Sequence, residues 1–263
     1  MRVPLEITSL TKTFHTSEGA YVAVKDFTAK FRDGEFVCLL GHSGCGKSTV
    51  LSIIAGLQRA TLGGICIDGV ETDTPGKNRA FVFQTPSLLP WMSTAENVSL
   101  AVTQARPKAS AAEVKTLTQR YLDLVGVGEF ALQMPPELSQ GTQQRVSIAR
   151  ALALEPRFLL LDEPFGMLDS MTRFELQDMV LEVLEKSPKI TIMVTHDVEE
   201  ALYLADRIIL MTDGPAATLG AVIDVPFPRP RTRAEISEDP RYFQLREQVL
   251  GFLEHHTRQF QAA

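Results

Sequence analysis

The sequence predicts an α/β fold built on a mostly parallel sheet, and three observations carry that prediction. Short apolar segments near both ends of the chain alternate with helix-like stretches. A glycine-rich loop, Gly41 to Ser48, stands between an apolar strand and a helix. Between Pro86 and Glu155 the character changes and helical periodicity dominates.

The elements follow in order. Leu5 to Leu10, Tyr21 to Phe31 and Glu35 to Leu40 are short and apolar or alternating, and Asp33-Gly34 marks a turn between the last two. Thr49 to Leu57 reads as a helix stopped near Gly56. Gly64 to Asp68 and Arg79 to Phe83 are further strands, and Thr94 to Gln104, Ala111 to Val125 and Gln143 to Leu154 are helices. Strand signals return at Phe158 to Leu161, Ile190 to Thr195 and Arg207 to Met211, with helical stretches between them. The expected division is a core of residues 1–85 and 156–225, a helical insert at 86–155, and a tail at 226–263. In that tail Pro226 to Arg233 reads as a solvated, proline-stiffened linker and Tyr242 to Leu253 as an amphipathic helix.

Composition narrows the function. At 263 residues the chain can bury an ample core, and its net charge of −6 weighs against a nucleic-acid binder. The start, Met1-Arg2-Val3-Pro4-Leu5-Glu6, has no secretory apolar stretch. No run approaches the roughly 18 to 20 apolar residues that cross a bilayer, so a membrane role is expected to come through a partner. Cys38, Cys45 and Cys66 form neither a disulfide framework nor a metal-ligand spacing, as suits a reducing compartment.

Gly41-His42-Ser43-Gly44-Cys45-Gly46-Lys47-Ser48 fits the pattern G-x-x-x-x-G-K-[ST]. Its glycines let backbone N–H groups turn toward phosphate oxygens, and the helix N-terminus adds its positive dipole end. Lys47 is the expected partner of the β- and γ-phosphates, and the Ser48 hydroxyl a ligand of Mg²⁺; Gly41, Ser43, Gly44, Cys45, Gly46 and Thr49 complete the loop. The same helix end is expected to lower the Cys45 thiol pKa. Downstream, Phe158 to Leu161 runs into Asp162-Glu163. A carboxylate at a strand tip can reach a Mg²⁺ shell, which suits Asp162, and Glu163 can take a proton from an attacking water.

Leu138-Ser139-Gln140-Gly141-Thr142, followed by Gln143-Gln144-Arg145-Val146-Ser147-Ile148-Ala149-Arg150-Ala151, resembles the signature of ABC ATPases, usually LSGGQ. It departs from that pattern at Gln140 and Thr142. Further family marks follow in order: Gln84 resembles the Q-loop glutamine, which joins the Mg²⁺ and water network, and Gly166-Met167-Leu168-Asp169 resembles the D-loop. His196 resembles the switch histidine that meets the γ-phosphate, and Phe14 the aromatic that stacks on adenine, with Tyr21 as a rival. The resemblance spans roughly residues 5 to 225. It implies a P-loop NTPase (RecA-like) core with an antiparallel β subdomain and an inserted α-helical signature subdomain. It implies ATP and Mg²⁺ as cofactors, with Ser48, Gln84 and Asp162 around the metal. Ser139 and Gly141 would then complete the phosphate site of a second ATPase subunit, identical or paralogous.

A soluble ABC ATPase is the alternative class. DNA-repair types carry a long coiled coil between loop and acidic strand, whereas Lys47 and Asp162 lie 115 residues apart (162 − 47) without sustained heptads. Translation factors carry two such domains, and a GTPase would need an N-K-x-D motif. An importer is expected rather than an exporter, since exporter ATPases usually come fused to membrane helices. Its partners would be a transmembrane permease and, indirectly, a solute-binding protein, with no nucleic acid, and its place the cytoplasmic face of the inner membrane. Thr85 to Met92 with Thr94 to Val98, apolar for a loop and centred on Trp91, is either core of the insert or the surface that receives the permease. The run Asp162 to Arg173, with Gly214 to Ala217 and Pro226 to Arg231, resembles the nitrate/sulfonate/taurine branch, nearest to nitrate-type ATPases. Nitrite and cyanate stay open beside nitrate, and taurine, alkanesulfonates or bicarbonate form the alternative.

Overall fold

A computed structural model describes residues 3–17 and 19–261. The chain forms two compact units, one of residues 1–76 with 190–263 and the other of residues 77–189. The sequence-based division of core and insert follows helical content instead, and so places its boundaries differently.

In the first unit β1 (Leu5–Thr16), β2 (Gly19–Phe31), β3 (Phe36–Leu40), α1 (Lys47–Ala55), β4 (Leu62–Ile67) and β5 (Val70–Thr72) come from the N-terminal part. Strands β2, β1, β4 and β5 pair in that order as an antiparallel sheet. Leu5 and Ile7 point inward by strand alternation, and Leu10, three residues on, is returned to the same face by an irregularity after Ile7. The strand nevertheless runs on past Leu10, because its polar second half is held by backbone pairing in a long hairpin with Phe14 opposite Tyr21. Ser9 and Asp26 take left-handed φ values where the register shifts, the geometry of bulges.

The second unit carries β6 (Arg79–Val82), α2 (Thr94–Ala105), α3 (Ala111–Leu124), α4 (Gln140–Ala153), β7 (Phe158–Asp162) and α5 (Ser170–Lys186). β6 and β7 pair in parallel, with Val82 beside Leu161. Helices α2 and α3 start in capping boxes, Ser93 with Glu96 and Ser110 with Glu113. Asn97, buried on α2, accepts from the Leu89 amide and donates to the carbonyls of Leu89, Met92 and Ser93. The loop before α2 is thereby pinned, while Trp91 on it stays 70% exposed. Trp91 is therefore surface and not core of the insert.

The chain then returns to the first unit with β8 (Ile190–Thr195), α6 (Val198–Leu204), β9 (Arg207–Met211), β10 (Leu219–Asp224), α7 (Arg233–Glu238) and α8 (Pro240–Gln261). β3 lies between β8 and β9, parallel to both, and β10 closes that edge antiparallel. Every residue of β3 and β8 is buried, which is why both read as continuous apolar runs without alternation. Helix α1 packs on β8, and α6 on β3 and β8. Strands β5 and β10 had no sequence forecast: one is three residues long, and the other is an edge strand with one fully buried position.

The linker expectation for Pro226 to Arg233 is corrected. Asp206 Oδ1 accepts from Arg229 Nε at 2.8 Å and from Arg231 Nη2 at 3.0 Å, while its Oδ2 accepts from the Phe36 amide at 2.9 Å. The same arginines donate to the carbonyls of Leu204 and Ala205 at the end of α6. Arg231 is 7% exposed. A half-buried carboxylate with so many donors outcompetes water for these guanidinium groups, so the segment is clamped to the unit instead of being solvated.

Candidate nucleotide site

The glycine-rich loop leaves β3 after Leu40, whose neighbours across the sheet are Thr195 of β8 and Leu210 of β9. Adjacent parallel strands therefore deliver the loop, His196 and the segment from Met211 to Ala217 at one sheet end, the usual place for a ligand in such sheets. Gly44 and Gly46 have φ of 81° and 90°, and a Cβ on Gly46 would fall 2.6 Å from Val24 Cγ2. Only glycine meets both demands at position 46. It also N-caps α1 and has no side chain of its own to bond the first-turn amides, so that end of α1 offers backbone donors to an anion. Lys47, 5% exposed, donates from Nζ to the carbonyls of Gly41 at 2.6 Å and His42 at 2.9 Å. Ser43, Gly44 and Ser48 are exposed and Thr49 is half-buried.

The expectation for Cys45 is corrected. Its thiol is buried, and burial pushes the pKa above the usual thiol value although Lys47 nearby acts in the other direction. Two residues of the loop environment went unassigned in the sequence. His42 Nδ1 lies 3.2 Å from Asp213 Oδ1, and Asp213 Oδ2 is buried with no hydrogen-bond partner. A Cβ on Gly214 would sit 3.3 Å from both the Gly44 carbonyl and the Tyr21 hydroxyl. The segment after β9 thus braces the loop, and Tyr21 stands beside it. Phe14 is directly opposite Tyr21, with the Lys12 ammonium 5.0 Å from its ring centroid. His196 is exposed just before Asp197, which N-caps α6 through the Glu200 amide.

The acidic residues belong to the second unit. Asp162 ends β7, and Glu163 follows with φ of 45°, an uncommon left-handed setting for a residue with a Cβ. Gln84 follows β6, so parallel pairing brings it beside Glu163: Gln84 Nε2 donates to Glu163 Oε2 at 3.4 Å. Helix α4 holds the neighbouring backbone. Gln144, buried, donates to the Phe83 carbonyl at 3.4 Å, and Arg150 Nη2 donates to the carbonyls of Pro86 at 3.3 Å and Ser87 at 3.0 Å. The sequence signalled Gln144 and Arg150 only as members of the signature helix, not as anchors of the Gln84 segment.

Ser139 N-caps α4, accepting from the Thr142 amide. Gly141 is buried, and a Cβ there would meet Thr172 Cγ2 at 2.5 Å, so close packing of α4 on α5 accounts for this glycine. Asp169 caps α5 in the same way, and its carboxyl is held below the usual range by hydrogen bonds from Thr172. Among the described residues no cluster of three or more His, Cys, Asp or Glu could hold a metal. Ser48, Gln84 and Asp162 instead offer hard oxygen donors of the kind Mg²⁺ takes singly or in pairs beside phosphate oxygens and water, so the donor chemistry fits that ion.

A glycine loop between a parallel strand and a helix, with a buried lysine and a carboxylate at a strand end, defines a P-loop nucleotide-binding protein. A sequence model of the family described as ABC transporter matches residues 24–166. The nitrate import ATP-binding protein NrtD of Synechococcus elongatus is 50% identical over 92% of this chain and 88% of its own. The nitrate transport protein NasD of Klebsiella oxytoca is 45% identical over 96% of this chain and 97% of its own. The bicarbonate transport ATP-binding protein CmpD of Synechococcus elongatus is 43% identical over 95% of this chain and 90% of its own. Among solved structures, a dimeric ATP-binding cassette in a post-hydrolysis state with ADP and Pi superposes with a TM-score of 0.76 at 33% identity, over 85% of this chain and 100% of that one. The chain belongs to the ABC transporter family and is an ATP-binding cassette of it. Among the described residues no helix is long and apolar enough to cross a membrane.

Proposed function

We propose that this chain is the ATP-hydrolysing subunit of a nitrate importer, working at the cytoplasmic face of a membrane beside a second ATPase subunit and a transmembrane permease. The observation that carries the chemistry is the pairing of Gln84 with Glu163 at the ends of two parallel strands. Glu163 accepts a proton from the water that attacks the γ-phosphorus, ADP leaves, and Gln84 holds the carboxylate in place. Lys47 and the first-turn amides of α1 hold the phosphates, and His196 meets the γ-phosphate from the neighbouring strand end. Ser48, Gln84 and Asp162 would hold Mg²⁺, which neutralises phosphate charge when bound. Ser139 and Gly141 face the nucleotide of the second subunit.

The pinned loop that presents Trp91 supports a permease contact on the second unit. Nitrate is favoured over bicarbonate by the higher identity to nitrate-type relatives. The test is reconstitution with the permease and binding proteins loaded with nitrate, bicarbonate or taurine. ATP turnover should rise with nitrate alone, and an equal response to bicarbonate sinks the assignment. Glu163→Gln should lower turnover about 10³-fold while ATP affinity is kept, and near-normal turnover would remove Glu163 from its role.

A further inference from the structure

The start of α4 carries two hydroxyls where the family pattern has one serine and a glutamine. Ser139 Oγ and Thr142 Oγ1 lie 2.8 Å apart, and the Thr142 amide donates to Ser139 Oγ at 3.2 Å. Three polar hydrogens are in play. The amide hydrogen goes to Ser139 Oγ, and one hydroxyl hydrogen lies between the two oxygens, which leaves one hydroxyl hydrogen directed outward. If Thr142 donates to Ser139, both lone pairs of Ser139 Oγ are occupied, and the serine can act toward a ligand only as a donor. A phosphoryl oxygen offers acceptors alone and so selects this arrangement, and the incoming hydrogen bond polarises the serine hydroxyl. Thr142 is branched at Cβ and sits in a helix, which restricts the rotamers its hydroxyl can take. Gly141 between them is locked against Thr172 of α5, so the turn that sets the two oxygens side by side is fixed by packing.

We propose that Thr142 is a positioning residue of the shared phosphate site: its hydroxyl donates to Ser139 and holds the serine as a donor to the γ-phosphate bound by a second copy of the chain. This rests on the shared-site reading given above. It also assigns a purpose to a departure at position 142 that would otherwise count as loss of the family glutamine.

The test uses the full-length Glu163→Gln chain, whose dimerisation is followed by ultracentrifugation as ATP is titrated. Thr142→Val keeps the shape and removes the hydroxyl, and it should raise the ATP concentration for half-maximal dimer at least about tenfold. Thr142→Ser should restore it to within about twofold of the parent, and nucleotide affinity of the single chain should stay unchanged in both. Thr142→Val added to Ser139→Ala should do no further harm, because the threonine acts through the serine. Should valine unfold the chain, Thr142→Ala carries the same expectation. Dimerisation of Thr142→Val at parental ATP concentrations overturns the inference, as do equal losses in the serine and valine variants or additive losses with Ser139→Ala. A parent that fails to dimerise with ATP, or a Ser139→Ala variant that dimerises normally, overturns the shared-site reading itself.

Discussion

Two helix N-termini in this molecule meet the same physical problem in opposite ways. At α1 the cap residue is Gly46, which has no side chain to bond the first-turn amides, and a buried lysine is folded back under the loop. At α4 the cap is Ser139, whose oxygen takes the Thr142 amide, and the end of the helix is dressed with hydroxyls and carries no acid or base in its first turn. A bare end with a cation attracts and retains a highly charged ligand. A capped, neutral end adds directional donors and little charge attraction. On the proposed function, the difference assigns α1 the affinity for nucleotide and α4 a geometric condition for closing the site.

The sharpest way to break this comparison is to disable each end separately. Lys47→Ala should cost the single chain about 100-fold in ATP affinity, whereas Ser139→Arg should leave that affinity intact and abolish the ATP-dependent dimer. Mixed one to one, the two variants can form a heterodimer with one sound site, so the mixture should recover dimer that neither shows alone. A mixture no better than its parts would mean that the two ends do not serve a shared site, or that the natural partner is a different ATPase chain; adding such a chain separates the two.

Stability gives a smaller contrast. Gly46→Ala forces a left-handed φ of 90° on a residue with a Cβ and drives that carbon into Val24, so it should cost about 1 to 3 kcal/mol in urea unfolding. Ser139→Ala loses one cap and should cost about 1 kcal/mol. Reversal of that order would show that α1 tolerates its end being remodelled. The mildest test is chemical. Burial keeps the Cys45 thiol above its usual pKa, so at pH 7 it is the neutral thiol and reacts slowly, and labelling should speed up only as pH rises past the usual thiol value. The half-buried Cys66 should be labelled first and the fully buried Cys38 last. Rapid labelling of Cys45 at neutral pH, blocked by ATP, would restore the view that the helix end dominates its environment.

Much of the site was legible because its residue types are forced locally. A glycine that must take positive φ, an apolar run buried on both faces and a hydroxyl at a helix start all leave their marks within a few residues. What escaped depends on partners distant in the chain. His42 and Asp213 are 171 residues apart, and Gln144 reaches the Phe83 carbonyl from 61 residues away. Neither pairing leaves any periodicity to read. The Cys45 forecast failed because burial and the helix end act in opposite directions, and only the fold says which is larger. The arginines of the tail looked solvated for a similar reason, since the acid that captures them, Asp206, lies outside the tail.

That capture also gives the chain a mechanical order. Asp206 ties the start of β3 and the end of α6 to Arg229 and Arg231, so tension applied at the C-terminal helix meets this knot before it reaches the buried strands. Along the chain, the knot at Arg229 and Arg231 lies between α7 and β10 and acts as a stop between the tail and β3, which carries the glycine loop. A cargo, tag or added domain attached beyond α8 would accordingly load the tail and leave the nucleotide site undisturbed.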